Sequence, residues 1–265
     1  MEQAALKGKT AIVTGSATGI GAAVALGLAR RGANVVVNYT KSEREAHGTA
    51  EAVKSAGAGV IVAQGDVARD EDCRRIAAAA MDTWGRIDIL VNNAGTTKFA
   101  GHADLDALSA EDFANIYRVN VIGAFQMVRA CIQGLKAHGE GAVVNVSSIA
   151  GTHGIGSSVA YAASKGALNT MTMSLARALA PAVRVNAVCP GFVATRWFVN
   201  AFGKEVGDRM ASEHKKTVPL DRVAEAEDIA DVVLFFAGSQ SRHVTGETLL
   251  VDGGLHLTVG PAGFR

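Results

Sequence analysis

Seven short runs of apolar, mostly β-branched residues recur along this chain, separated by longer stretches of helical character. The runs are Thr10–Thr14, Asn34–Asn38, Val60–Ala63, Ile87–Val91, Ala142–Val146, Val183–Val188 and Thr248–Val251. Between them lie helical stretches at Gly19–Arg31, Ser42–Ala56, Asp70–Trp84, about Ser109–Leu135, Val159–Ala178 and Glu225–Phe236. In Asp70–Trp84, for example, Cys73, Ile76, Ala77, Ala80, Met81 and Trp84 repeat at helical spacing. Strands that alternate with helices build right-handed crossovers and a parallel sheet. Strands that read as unbroken apolar runs belong to a sheet covered on both sides. The expected fold class is therefore α/β: a doubly wound parallel sheet of about seven strands with helices on both faces. Hydrophobic residues make up 49% of the 265, enough to fill such a core. With four prolines and no Pro/Ser-rich linker, residues 1–265 read as one domain. The rhythm breaks only at about 195–217, which holds Trp197, Phe198 and Phe202. Ligands of open α/β sheets sit beyond the carboxyl ends of the strands, so this insertion is either a substrate lid or a plain helical excursion.

The turn after the first strand is TGSATGIG, Thr14 to Gly21. Its glycines permit positive φ and close approach of a ligand to the backbone. The helix that follows offers unpaired N–H groups and a positive dipole end to a pyrophosphate. The spacing is G-x-x-x-G-x-G rather than G-x-G-x-x-G. Its place in the first strand-to-helix turn of a doubly wound pattern makes a Rossmann-type dinucleotide site the favoured reading, over simple tight packing.

Near the middle of the chain stands YAASK, Tyr161 to Lys165. A phenol and an ammonium four residues apart share one helix face. A nearby positive charge favours phenolate, and bringing a Tyr from 10 to 7 takes about 4 kcal/mol of preferential stabilisation. Such a Tyr gives a proton to a carbonyl oxygen or takes one from an alcohol. Ser148 lies 13 residues earlier, at the end of the fifth strand, so the two hydroxyls can converge across a returning loop. Ser147 shares that strand end, and either serine also fits a turn cap.

Other chemistries find no support. Net charge is +1 and the only basic run is His214-Lys215-Lys216, so no nucleic-acid partner is expected. No uncharged apolar run reaches about 18 residues and the first ten lack an apolar segment, so neither a membrane span nor a signal peptide is expected. Cys73, Cys131 and Cys189 form no C-x-x-C pair and the seven histidines no H-x-x-x-H, so no metal site is expected. Reduced thiols agree with a cytoplasmic location.

Taken in order, the motifs TGSATGIG, Gly65-Asp66-Val67, NNAG at Asn92–Gly95, Asn120, Ser148, YAASK, and Pro190-Gly191 with Thr195 resemble the short-chain dehydrogenases/reductases, from Lys9 to about Gly254. The texture is similar to the bacterial branch of 3-oxoacyl-(acyl carrier protein) reductases, glucose dehydrogenases and alcohol dehydrogenases. The resemblance implies hydride transfer between a nicotinamide cofactor and a small-molecule carbonyl or secondary alcohol. It implies Tyr161 as general acid and base, Lys165 as its tuning charge and ribose ligand, Ser148 as the donor to the substrate oxygen, and Asn120 as the holder of a relay water. Implied cofactor residues are Gly15, Ser16, Thr18, Gly19, Ile20, Asp66, Val67, Asn93, Ala94, Gly95, Pro190, Gly191, Val193 and Thr195, with Tyr161 and Lys165; Asn92 would line the same region. Members that use NAD usually carry an acid at the end of the second strand. Here Tyr39, Thr40, Lys41 and Ser42 stand there instead, which favours NADP and leaves NAD possible; Thr18, where NADP-preferring relatives often have Arg or Lys, speaks the other way. The substrate pocket would draw on Thr96–Gly101, Gly151–His153, Phe192 and 195–217, with Lys98 and Arg196 as candidate anion contacts. Homotetramers are the common family state, and the tail after Gly254 either reaches a neighbouring subunit or frays.

Two other classes compete. A regulator that binds NAD(P) without turnover needs no tuned phenol, so the intact set Asn120, Ser148, Tyr161 and Lys165 argues against it. A nucleotide-sugar epimerase or dehydratase would carry T-G-x-x-G-x-x-G and a longer C-terminal substrate domain.

Overall fold

The computed structural model describes residues 5–258. In chain order the main elements are β1 (Thr10–Val13), α1 (Gly19–Arg30), β2 (Asn34–Tyr39), α2 (Glu43–Ser55), β3 (Val60–Gln64), α3 (Asp70–Trp84) and β4 (Ile89–Asn92). Then come α4 (Ala110–Tyr117), α5 (Ala124–Ala137), β5 (Gly141–Val146), α6 (Ala150–His153), α7 (Val159–Leu179) and β6 (Val183–Pro190). The chain closes with α8 (Arg196–Phe202), α9 (Lys204–Thr217), α10 (Ala226–Ala237) and β7 (Thr248–Val251). The strands form one sheet in the order β3-β2-β1-β4-β5-β6-β7, and every pairing is parallel. Strand order reverses between β1 and β4, where the crossovers leave the sheet in opposite directions and open a crevice at the carboxyl ends.

The period of two in the strands sorts the core into two layers. Ala11, Val13, Val35, Val37, Ile89 and Val91 pack with Val24 and Leu28 of α1, Val53 of α2 and Val233 of α10. Ile12, Val36, Leu90, Val143 and Val185 point the other way, onto Ile76 of α3, with Met127 and Leu135 of α5. Each such side chain, fully buried, contributes about 1.5–3 kcal/mol. The edge strands β3 and β7 are only partly covered.

One element differs from the sequence expectation, and a second, left open there, takes a definite form. The long helix over about Ser109–Leu135 is interrupted at Arg118–Gly123 by a wide turn of π type. Gly123 there touches β3's following loop so closely that a Cβ would lie 2.7 Å from a Val67 methyl. The insertion at about 195–217 is helical, α8 followed by α9. Its two ends are pinned together: Val193 bridges Ala224, and the Ala194 amide donates to the Ala224 carbonyl at 2.8 Å.

Candidate active site

The glycine-rich turn is held by bonds from its neighbours on both sides. Thr14 Oγ1 accepts from the amides of Asn93 and Ala94, both at 3.0 Å. Asn93 Nδ2 donates back to the carbonyls of Thr14 and Gly15, at 2.9 and 3.0 Å. On the other side Asn38 Oδ1 accepts from the Gly15 amide. Gly15 and Gly19 stand at φ +60° and +59°, conformations that only glycine adopts without strain. A Cβ on Gly21 would lie 2.5 Å from Asn93 Nδ2 and 2.6 Å from the Gly15 carbonyl. The absence of a side chain at Gly19 and Gly21 brings α1's first turn against the crevice, and Thr18 leaves that turn's N–H groups without a side-chain cap. This open, uncapped helix start fits the pyrophosphate of a dinucleotide.

The crevice is a cleft of about 1130 Å³. All the predicted cofactor residues line it except Ser16. Ser16 is fully buried, and its hydroxyl donates to the Val13 carbonyl while accepting from the Asn38 amide. It shapes the turn and does not face the ligand. Asn92 is likewise turned into the core, donating to Asn145 Oδ1 and the Ala124 carbonyl. Asp66 lines the cleft while its Oδ1 accepts from the Ala68 amide. At the β2 end burial raises the Tyr39 phenol's pKa, and the Glu43 carboxylate at its hydroxyl adds to the rise. Lys41 and Ser42 are exposed on the rim.

At the waist of the cleft stand Ser148, Tyr161 and Lys165. Tyr161 rides on the first turn of α7, where Ser158 caps the helix by accepting from the Tyr161 amide at 3.2 Å. Ser147 donates to the Lys165 carbonyl and is buried. Ser148 instead lines the cleft beside the Tyr161 hydroxyl, accepting from the Ala150 amide and keeping its own O–H to donate. Lys165 Nζ donates to the Val146 carbonyl at 2.8 Å and lies 5.6 Å from the centre of the Tyr161 ring. Burial pushes the Tyr161 phenol up to about 12, against the pull of the Ser148 hydroxyl. Burial also brings the Lys165 ammonium down to about 8. The lowering of the phenol expected from Lys165 is not seen: burial dominates, and the one group that pulls the phenol down is Ser148. Asn120 does not line the cleft. Its Oδ1 accepts from the Thr96 amide, and its Nδ2 donates to the Thr96 carbonyl and Ser164 Oγ.

Beyond Tyr161 the walls turn apolar. Phe99, Phe192, Trp197, Phe202, Met210 and Leu255 line this end with Ile155. Gly151–His153, expected here, form α6 instead; a Cβ on Gly151 would sit 2.5 Å from the Lys165 carbonyl carbon, so this segment packs behind the site. Ile149, Ala150 and Ile155–Ser157 take its place. An apolar Ile inside a glycine-rich loop was the signal that sequence reading passed over. Lys98 pairs with Asp112 at 2.7 Å, and Arg196 with Glu45 at 3.2 Å. The side chain of Phe198 and residues 259–265 of the tail lie outside the described residues.

Known proteins are similar to this chain over nearly its whole length. The family model described as enoyl-(acyl carrier protein) reductase matches residues 15–256. A protein named as a ketoacyl reductase of the granaticin polyketide synthase, from Streptomyces violaceoruber, is 43% identical over 93% of this chain and 96% of its own length. An L-rhamnose 1-dehydrogenase (NAD(P)(+)) from a Sphingomonas species is 35% identical, over 96% and 98%. A 3-oxoacyl-[acyl-carrier-protein] reductase from Staphylococcus epidermidis is 33% identical, over 94% and 99%. A solved structure from Burkholderia xenovorans, described as a short-chain dehydrogenase/reductase, superposes with a TM-score of 0.87 at 39% identity, over 94% of this chain and 98% of that one.

Proposed function

Since the chain belongs to the short-chain dehydrogenases/reductases, in the branch that resembles 3-oxoacyl-(acyl carrier protein) reductases, we propose a role for each residue of its cleft. The protein is an NAD(P)-dependent oxidoreductase acting on small molecules. What carries the assignment of roles is the convergence of Ser148, Tyr161 and Lys165 at the waist of one cleft. Gly15, Gly19 and Ile20 with the first turn of α1 hold the cofactor's pyrophosphate; Asp66 and Val67 take the adenine end, and Ala94, Gly95, Gly191 and Thr195 the nicotinamide end. Bound there, the cofactor supplies or accepts the hydride, and its oxidised form adds a positive charge beside the phenol.

In reduction Tyr161 gives its phenolic proton to the carbonyl oxygen, and in oxidation it takes the proton back. A phenol held neutral by burial is already in the donor form at neutral pH. Ser148 donates to the same oxygen and fixes its position. Lys165 spends one N–H on Val146 and keeps two for the ribose hydroxyls beside the nicotinamide. The Asn120 side chain is engaged by Thr96 and Ser164, so in a proton relay Asn120 would offer a water its main-chain carbonyl.

The preferred cofactor is NADP. No carboxylate stands within 38–42, the Glu43 carboxylate next in the chain is turned to the Tyr39 hydroxyl, and Thr40, Lys41 and Ser42 line the rim where a 2′-phosphate would lie. The working protein is a homotetramer in the cytoplasm. Support comes from apolar side chains left exposed on the wide turn, α5 and α7, namely Ile122, Phe125 and Met173, and from three buried free thiols. Among the described residues no helix is long and apolar enough to cross a membrane.

The test is kcat/KM with NADPH and with NADH, for wild type and Tyr161→Phe. NADPH should be preferred about tenfold or more, and a tenfold preference for NADH would reverse the cofactor assignment. Tyr161→Phe should lose about 10²–10⁴ in kcat, with cofactor affinity nearly unchanged. Near-normal turnover would sink the role given to Tyr161.

A further inference from the structure

A chain with only nine Phe, two Trp and three Tyr places Phe99, Tyr161, Phe192, Trp197 and Phe202 around one space. These rings come from separate segments: the loop after β4, the loop after β6, the start of α7, and α8. Trp197 leans over Tyr161, with ring centres 6.4 Å apart and planes inclined by 52°. Phe99 and Phe202 meet edge to face at 4.7 Å and close the far wall. Phe192 lies against His214 of α9 at 5.0 Å. Trp197 is 37% exposed and Phe202 42%, so large aromatic faces stand wet beside the reacting phenol. Side chains of this kind gain most from a ligand that covers them with a flat apolar surface.

The charges at this end point the same way. Of the cations that line the cleft among the described residues, Lys41 stands at the opposite end with Tyr39 and Ser42, and Lys165 is buried beside Tyr161. Arg196 is paired with Glu45, and Lys98, just outside, with Asp112. A substrate carried on a phosphate-bearing arm would compete with Glu45 or Asp112 for its cation, whereas a neutral ring system leaves both pairs undisturbed.

Resting on the oxidoreductase reading above, we propose that the substrate is an uncharged ring-bearing ketone, or the matching secondary alcohol. Its rings lie against Trp197 and the Phe99–Phe202 pair, and its oxygen meets Tyr161 and Ser148. Trp197 and Phe202 are then specificity-determining residues, and α8 is the element that selects the substrate.

Three carbonyls test this with the full-length protein and NADPH: the bicyclic aryl ketone tetralone, butanone, and acetoacetyl-coenzyme A. The kcat/KM for tetralone should exceed both others by about tenfold or more, in line with ring contacts on two walls. Trp197→Ala should cut the tetralone-to-butanone ratio about tenfold, and Trp197→Phe should restore most of it. NADPH binding, followed by its fluorescence, checks that each variant is folded. A preference for butanone or for the coenzyme A thioester, or a ratio indifferent to Trp197→Ala, overturns the proposal and leaves the oxidoreductase reading standing. Turnover of none of the three by wild type that still binds NADPH would bring down both.

Discussion

Lys165 holds its charge where the surroundings oppose it. Only 4% exposed, its ammonium is brought from 10.5 down to about 8 by desolvation. Between those two values the unfolded chain keeps a proton that the folded protein has released. Stability therefore rises with pH across the window from about 8 to 10.5, and falls back as pH drops toward 8. The span corresponds to roughly 3 kcal/mol. Urea unfolding of the cofactor-free protein should show wild type gaining on Lys165→Met by up to that amount between pH 8 and pH 10.5; parallel profiles would contradict a depressed Lys165. At this scale the sequence was informative where spacing is local. Tyr161 and Lys165 share a face because helix geometry dictates it. Ser16 and Asn92 were misplaced because their direction is set by partners far along the chain, Asn38 for the first and Asn145 for the second. A motif says which residues gather at a strand end, but not which of them turns inward.

The elements that present these residues depend on their ends. Tyr161 is the third residue of α7, and the Ser158 hydroxyl accepts from its amide. Loss of that cap costs about 1 kcal/mol and frees the turn that carries the phenol. Ser158→Ala should lower the unfolding free energy by about 1 kcal/mol and lower kcat with it, while Ser158→Asp or Ser158→Asn, which also cap, should recover stability. Unfolding and steady-state kinetics on the three variants separate a cap from a side chain that merely fills space. The helix begins at Val159, as expected from the sequence. The wide turn at Arg118–Gly123 was not legible, because no proline or glycine pair marks it. It depends on Asn120 being gripped from Thr96 and Ser164, two segments that sequence proximity does not connect.

For the whole molecule, alternation of strand and helix was the strongest guide, since each parallel crossover needs a helix between its strands. All seven strands lie where the apolar runs stand, with bounds shifted by a few residues. Pairings such as Arg196 with Glu45, 151 residues apart, emerge only once the sheet has brought the segments together. Quaternary structure belongs to this scale as well. Ile122 and Phe125 expose 48% and 43% of their surface on neighbouring helical turns. If that face joins copies of the chain in the proposed tetramer, Ile122→Glu with Phe125→Glu should yield smaller species than wild type in sedimentation velocity, and an assembly unchanged by the two would move the interface elsewhere.

The pinned base of the helical insertion has one more consequence. Since Val193 and Ala224 are bridged, the segment between them leaves and returns to the sheet at a single point. Lengthening a flexible loop closed in this way costs only about 0.6 kcal/mol for each doubling. None of the strands that hold the cofactor turn runs through it. From Arg196 onward the insertion thus behaves as a cassette that evolution or an engineer can exchange, swapping one set of walls for another while Thr195 and the cofactor turn beneath are kept.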